Sequence, residues 1–448
     1  MKKLSNRAKI ITAAGAALLI AAAAALYVRF ASDTRVAFVN YPEYMIAPLL
    51  DQEINPAIKV SCLRWNDKSG EELKNYDCVI FFGMGLNFTE KQQEIIANLK
   101  IPVYTTASTK KETALAVMSG RQRETLRGYL SSGGKKNFKR MLDYIRYELD
   151  GKRINASRPV PPEEVEYKPF FHIEEKNAFK TLDEYLAWYK FSGHYKENAP
   201  RICLLSGNGG GALEELIRAL EKRGMNVIGA GGFWSVIPQL EKIRPDAVIY
   251  QPHGRLGEEA VAYLKKHNIP LFCPIKVSQP YHEYLKDQRG MTGGMLSQSI
   301  TMPELDGGVV PFVLSALYPN KRGLLEFRTI PDRLERFAEL VRKTAALKRM
   351  ANKDKKIAFI YYGSISKESA TAGLGISQSV LNILRRLKEA GYTTGELPAD
   401  VAALDREIKA NTAVFGTNDG MKEGQRKLDS AHVRTVTITP ADYAAWVA

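Results

Sequence analysis

The sequence predicts an α/β protein made of several doubly wound parallel-sheet units with helical insertions, preceded by one N-terminal transmembrane helix. Three observations carry this expectation. Short apolar runs such as Ile202–Leu205, Asp246–Gln251 and Ile357–Tyr361 are too brief for helices and alternate with segments of helical period. A polar, glycine-bearing loop follows each run, as it does where the carboxyl ends of parallel strands form a ligand edge. Finally, Ile10–Val28 is 19 residues without a charge, enough to cross a hydrocarbon core of ~30 Å at ~1.5 Å per residue.

Taken in order, residues 1–9 form a basic tail with Lys2, Lys3, Arg7 and Lys9, and residues 10–30 form the anchor. The positive-inside bias holds the tail in the cytoplasm and sends the body across, giving a single-pass inner-membrane protein with a periplasmic body. A cleaved signal peptide is the alternative, with an Ala-x-Ala site between Ala21 and Ala25; the apolar run continues past it through Leu26, Tyr27 and Val28, which favours the uncleaved anchor. Residues 31–110 read as a first α/β unit, with strands at Arg35–Val39, Val79–Phe82 and Val103–Thr105 and a helix at Thr89–Leu99. Gly83-Met84-Gly85 lacks the full dinucleotide-binding spacing and reads as a tight turn.

Residues 111–200 form a helical segment and linker. The helical pattern of Lys111–Glu148 breaks at Ser131-Ser132-Gly133-Gly134, the proline-bearing stretch Arg158–Pro169 is the linker, and Leu182–Phe191 is a helix. Residues 201–350 form a second α/β unit: after Ile202–Leu205 come a glycine loop, a helix over Ala212–Arg223, the strand Asp246–Gln251, a helix over Glu258–His267 and a strand at Pro270–Pro274. The loop could cradle an anion, but it has no Walker Lys-Ser/Thr pair and no acid at the ribose position, so no nucleotide site is expected. Residues 351–448 begin a third unit, with Ile357–Tyr361 as a central strand, a long polar loop containing Ser364, and a helix capped by Ser377 and closed by Gly391.

Hydrophobic and charged contents of 45% and 25% are those of an ordinary globular chain. The net charge is +15; removing the five basic residues of the first 30 leaves +10, spread without clusters of Lys/Arg among aromatics, so nucleic acid is excluded as a partner. Cys62, Cys78, Cys203 and Cys273 are too far apart for a paired-cysteine metal site. Buried free thiols are expected, although an oxidising compartment would permit a Cys62–Cys78 bridge.

The segment Lys353–Tyr392 resembles the strand, loop and helix of the CobN and BchH family, the large subunits of cobalt and magnesium chelatases. Met302-Pro303-Glu304-Leu305-Asp306-Gly307-Gly308 is similar to that family's LPELDG signature, and Ile330-Pro331-Asp332-Arg333 leads in family order to Lys355-Lys356-Ile357-Ala358. Tyr129–Tyr144 resembles the family's YxxxGGxxNxxxxLxY more loosely, and the resemblance covers roughly residues 35–448. It implies a tetrapyrrole substrate, haem or another porphyrin or corrin, with iron or cobalt as the metal. Family chelatases work in the cytoplasm with ATPase subunits, whereas an exported body has no ATP. The expectation is therefore similarity to the membrane-anchored CobN-like proteins of haem-uptake operons, which remove iron from haem or process an imported tetrapyrrole beside haem-transport proteins. The alternatives are a cobaltochelatase or magnesium chelatase large subunit, and a non-enzymatic haem carrier. The family's later HxGxHGxxExxPG pattern has no match, so the chain looks like the front part of a longer protein, truncated inside its third unit.

Under this resemblance Glu304 and Asp306 are the catalytic candidates. Two residues apart, they would project to one side of an extended segment, where paired carboxylates could take protons from pyrrole nitrogens or hold a metal in transit. Equally, Asp306 could cap a turn at Gly307-Gly308 while Glu304 pairs with a basic group. His253, at a strand end beside glycine, is placed as a haem or metal ligand would be, or as a loop histidine bonded to backbone. His282 follows another strand end. Gly293 and Gly294 would let backbone approach a flat macrocycle, and Ser364 lies in a strand-end loop. His172, His194, His267 and His432 read as surface residues.

Overall fold

The chain's β-branched and aromatic runs assemble into two mainly parallel sheets, each covered on both faces. The computed structural model describes residues 6–65, 70–173, 178–206, 211–231, 236–251, 254–308, 310–359, 375–411 and 438–447. It divides into two compact units, Met1–Ala345 and Ala346–Ala448. In the first, β1 (Thr34–Val39), β2 (Ile58–Leu63), β3 (Cys78–Phe82), β4 (Val103–Thr106) and β5 (Ala116–Val117) form a sheet in the order β2-β1-β3-β4-β5. The first four strands are parallel and β5 closes one edge antiparallel. Alternation along β1 feeds two cores. Val36 and Phe38 pack with residues of α2 (Glu43–Leu50), α4 (Gly120–Ser132) and α5 (Gly134–Tyr144), whereas Ala37 and Val39 face Trp65, Leu73, Leu86 and Ile96, the last on α3 (Glu90–Ala97).

The amino end of this sheet is fixed by a buried cation. Arg146, fully buried, donates to the carbonyls of Ser32, Ala57, Ile154 and Asn155 and to Thr34 Oγ1, at 2.7–3.3 Å. Thr34 Oγ1 in turn donates to Asp150 at 2.6 Å, and Asp150 pairs with Lys152 at 2.8 Å. The helical break expected at Ser131–Gly134 falls at Gly133, whose φ of +62° suits a residue without Cβ. The linker has no regular structure but is strapped down: Tyr129 Oη donates to Val160 O at 2.6 Å, and Asn137 exchanges two hydrogen bonds with the backbone of Glu163 at 2.8 and 2.9 Å.

The second sheet contains β6 (Phe170–Phe171), β7 (Ala178–Phe179), β8 (Arg201–Leu205), β9 (Asn226–Ala230), β10 (Ala247–Tyr250) and β11 (Leu271–Phe272), in the order β11-β10-β8-β9-β6-β7. Strands β8 to β11 are parallel, and β8 again divides its side chains between two cores: Ile202 and Leu204 face α7 (Gly211–Lys222) and α13 (Pro331–Arg349), while Cys203 and Leu205 face α6 (Leu182–Phe191), α8 (Ile237–Ile243) and α9 (Glu258–Lys266). A three-stranded sheet, β12 (Pro274–Pro280), β13 (Phe312–Pro319) and β14 (Leu325–Thr329), follows, with β14 antiparallel to β13.

The cysteines are free as expected, with Cys78, Cys203 and Cys273 buried; the alternative Cys62–Cys78 bridge fails because Cys62 on β2 and Cys78 on β3 are separated by β1, about two strand spacings of ~4.8 Å. Other expectations change. In the second unit, 355–359 form no strand, with Ile357 and Phe359 exposed, and residues 360–374 lie outside the described set. Helices α14 (Ile376–Glu389) and α15 (Val401–Asn411) pack through the buried Leu381 and Leu404. Gly375, not Ser377, occupies the N-cap of α14; the Ser377 hydroxyl donates instead to Asp405 on α15. The N-terminal α1 (Asn6–Phe30) is one helix whose Leu18, Leu19, Ile20, Leu26, Tyr27 and Val28 are exposed. Among the described residues no helix is long and apolar enough to cross a membrane, a set that leaves out the side chains of residues 1–13.

Candidate functional site

Each large sheet reverses direction once, and these reversals place two crevices at strand carboxyl ends, where open α/β sheets take ligands. In the first sheet the crevice between β1 and β3 is sealed. Asn40, at φ +61°, donates from Nδ2 to Phe82 O at 2.8 Å, and Tyr41 packs on Phe82 and bonds Thr106 Oγ1 at 2.6 Å. Burial pushes the Tyr41 phenol up to about 12, so it stays protonated. Beside this seal, toward β2, opens a cleft of about 290 Å³ lined by Glu43, Tyr44, Arg64, Trp65, Ser278 and Leu325 among others. Glu43 Oε2 accepts from Leu325 N at 2.7 Å, and the Tyr44 ring lies 4.8 Å from that of Phe327, so β14 forms the far wall.

The second crevice lies between β8 and β10. Its floor is Ser206, whose hydroxyl donates to Gln251 Oε1 at 3.4 Å, both residues buried. The Pro303–Gly308 motif sits over this edge. Met302–Leu305 is a short helix, and its end is a glycine cap: Gly308 N–H donates to Pro303 O at 2.9 Å and Gly307 N–H to Glu304 O at 3.0 Å, with Gly307 at φ +94°. Asp306 therefore turns inward. Its side chain is 1% exposed and accepts from the Leu256 backbone N–H at 2.5 Å and from Arg255 Nε. Gly308 is required as well, because a Cβ there would lie 2.7 Å from Cys273 Sγ.

The expected extended pairing of Glu304 and Asp306 is thus replaced by a helical turn that sends them to different environments, Glu304 exposed and Asp306 buried. Asp306 clamps the loop that follows β10, bringing the turn next to the chain just after His253; His253 and Ser364 themselves lie outside the described residues. His282 is exposed on the short helix Tyr281–Tyr284, its Nε2 3.9 Å from Glu283. Gly293 and Gly294 open the exposed turn Gly293–Leu296, with open space where a Cβ would stand.

Sequence reasoning missed a third grouping. His172 is not at the surface: it is buried after β6, with Nε2 3.0 Å from Glu221 Oε1, and His194 Nδ1 lies 3.4 Å from Glu221 Oε2. A signal was present in α7, where Glu221 stands four residues after the buried Ile217 and so continues the apolar stripe, a place where a carboxylate demands partners.

Parallel sheets flanked by helices define a doubly wound α/β protein, and comparison with known proteins shows its family. The family profile described as CobN/Magnesium Chelatase matches residues 127–448, and the chain belongs to this family. It is 28% identical over 258 residues to the H subunit of magnesium chelatase from Chlorobaculum parvum, covering 51% of this chain and 20% of that protein. Identity to an uncharacterised protein of Methanocaldococcus jannaschii is 25% over 360 residues, 71% of this chain and 28% of the other. The aerobic cobaltochelatase protein CobN of Pseudomonas aeruginosa is 28% identical over 134 residues, 28% of this chain and 11% of that protein. The chain thus spans only a fraction of the length of these relatives. Its fold is that of the catalytic subunit of cobaltochelatase from Mycobacterium tuberculosis, with a TM-score of 0.58 at 17% identity over 85% of this chain and 33% of that one.

Proposed function

We propose that this chain binds a tetrapyrrole at its strand-end face and takes part in removing the metal, iron from haem, at the outer face of the inner membrane. The observation that carries the reading is the Pro303–Gly308 turn, in a chain of the chelatase family: Asp306 locks it onto the carboxyl edge of the second sheet while Glu304 stays exposed beside that edge. Removing a divalent metal from a porphyrin delivers two protons to ring nitrogens, and inserting one releases two. Glu304 is the group available to pass them, while Asp306 positions it. The exported location is supported by the charge-free run Ile10–Val28 behind four basic residues and by the exposed apolar side chains of α1. Haem-transport proteins are the partners this location implies.

A second reading is favoured by the names of the relatives, the magnesium-chelatase H subunit and the cobaltochelatase protein CobN: metal insertion as part of a cytoplasmic large subunit working with an ATPase partner. Two measurements separate them. Reporter fusions after Ser32 are active only outside the cytoplasm under the first reading and only inside it under the second. Titration of the full chain with haem, followed at the Soret band, gives a saturable shift that Glu304→Gln leaves in place while metal release stops. Binding without release in the native chain would leave a carrier, and no Soret shift at all would remove the tetrapyrrole reading.

A further inference from the structure

The cluster of His172, His194 and Glu221 belongs to neither crevice. Glu221 is in the last turn of α7, so the cluster lies at the opposite end of the second sheet from Ser206 and Gln251. Three elements converge on it: the segment leaving β6 brings His172, the segment leaving α6 brings His194, and α7 brings Glu221. One donor atom from each can be chosen so that all lie within 4.8 Å of one another. We propose that this cluster is a resident binding site for a divalent transition metal of the zinc and cobalt(II) class, held by His172, His194 and Glu221.

The spacing suits such an ion. With bonds of ~2.0–2.1 Å, ligands around a tetrahedral centre stand roughly 3.3 Å apart; here His172 Nε2 lies 3.0 Å from Glu221 Oε1 and His194 Nδ1 lies 3.4 Å from Oε2, so each imidazole faces its own oxygen of the carboxylate. Two neutral imidazoles and one carboxylate form a donor set that selects zinc-like ions over magnesium or calcium, which take oxygen. The donor groups are themselves held in place. Tyr189 Oη donates to Glu221 Oε1 at 2.7 Å and accepts the Val227 N–H at 3.1 Å, which fixes the carboxylate. The rings are held by packing: His172 lies 5.0 Å from Trp188, and His194 stacks on Tyr189 at 5.5 Å with 12° between planes. His194, with a third of its side chain exposed, links the cluster to solvent.

The test is a titration of the tag-free, metal-stripped full chain with cobalt(II), read by the visible d–d bands that strengthen in a four-coordinate site, followed by displacement with zinc. The expected result is one equivalent bound in the native chain. Loss of a group that merely orients a ligand already weakens metal sites by about 10–100-fold, so His194→Ala and Glu221→Gln should each weaken binding at least about tenfold. Glu221→Gln retains an acceptor for Tyr189 and His194→Ala alters a partly exposed position, so unchanged far-UV circular dichroism establishes that both variants fold. Absence of a d–d signal, or equal cobalt affinity in the native chain and both folded variants, would show a hydrogen-bonded network only and overturn the proposal. Neither result depends on tetrapyrrole binding.

Discussion

Replacing Asp306 by Asn tests whether the family's acidic signature builds the site or performs its chemistry. The carboxylate accepts from a buried backbone N–H at Leu256 and from the Arg255 guanidinium. Asn supplies one acceptor and one amide donor, so one of these donors is left facing another donor. Stranding the buried Leu256 amide costs about 1–3 kcal/mol; Arg255, 40% exposed, recovers water and adds ~0–1 kcal/mol. At ~2–4 °C per kcal/mol for a unit of 150–250 residues, and less for a larger one, the melting temperature should fall by a few degrees. Glu304→Gln, at an exposed position, should stay within ~0.5 kcal/mol of the native chain. Thermal melts by circular dichroism, run beside a porphyrin titration, measure both. Asp306→Asn melting with the native chain, or Glu304→Gln melting below Asp306→Asn, would refute the division of labour drawn between them.

Gly308→Ala forces a Cβ to within 2.7 Å of Cys273 Sγ and 3.1 Å of Pro303 O, and should cost ~1–3 kcal/mol as overpacking; combining it with Cys273→Ala should restore part of the loss in a denaturant melt. Asn137→Ala removes both bonds that strap the linker at Glu163, so limited proteolysis should cut residues 158–169 faster, and an unchanged cleavage rate would show that the strap is redundant. Lys276 is largely desolvated, with its ammonium 5.4 Å above the Phe327 ring, and burial lowers its pKa below 10.5. Below the folded pKa both states are protonated and the desolvation penalty is full; as pH rises toward 10.5 the folded state sheds its proton first, so native stability rises. Lys276→Met should therefore melt higher than the native chain at neutral pH, with the gap closing in alkali; a gap independent of pH would refute this assignment.

Elements with local determinants are legible in the sequence. Leu182–Phe191 is helical over its expected range because Thr181 and Glu184 form a reciprocal capping box, a pattern written within four residues. Strand β1 shows itself through an apolar run, whereas β2, Ile58-Lys59-Val60-Ser61-Cys62-Leu63, escapes a search for such runs because it is an edge strand in which only Ile58 is buried, Lys59 is exposed and the other four are half-buried. The turn at Glu304 misleads for a different reason: spacing alone suggests an extended segment, and the paired glycines that close a helix outweigh it. Ile357 and Phe359 have the composition of a strand, but strand pairing is a long-range property that composition does not supply. The His172–Glu221 contact joins residues 49 apart on separate elements, so no motif spacing could reveal it.

The bond between Glu43 and Leu325 closes the wall of the first cleft across 282 residues of chain. At a synthesis rate of about 5–20 residues per second, that intervening length takes roughly 15–55 s to emerge from the ribosome. During that interval the first sheet can pair all its own strands, yet Tyr44 stands without the Phe327 ring of β14 on which it packs. The nascent chain therefore completes its first sheet well before the cleft beside that sheet is enclosed, and the cleft takes its final shape only after the second sheet and β12–β14 have been made.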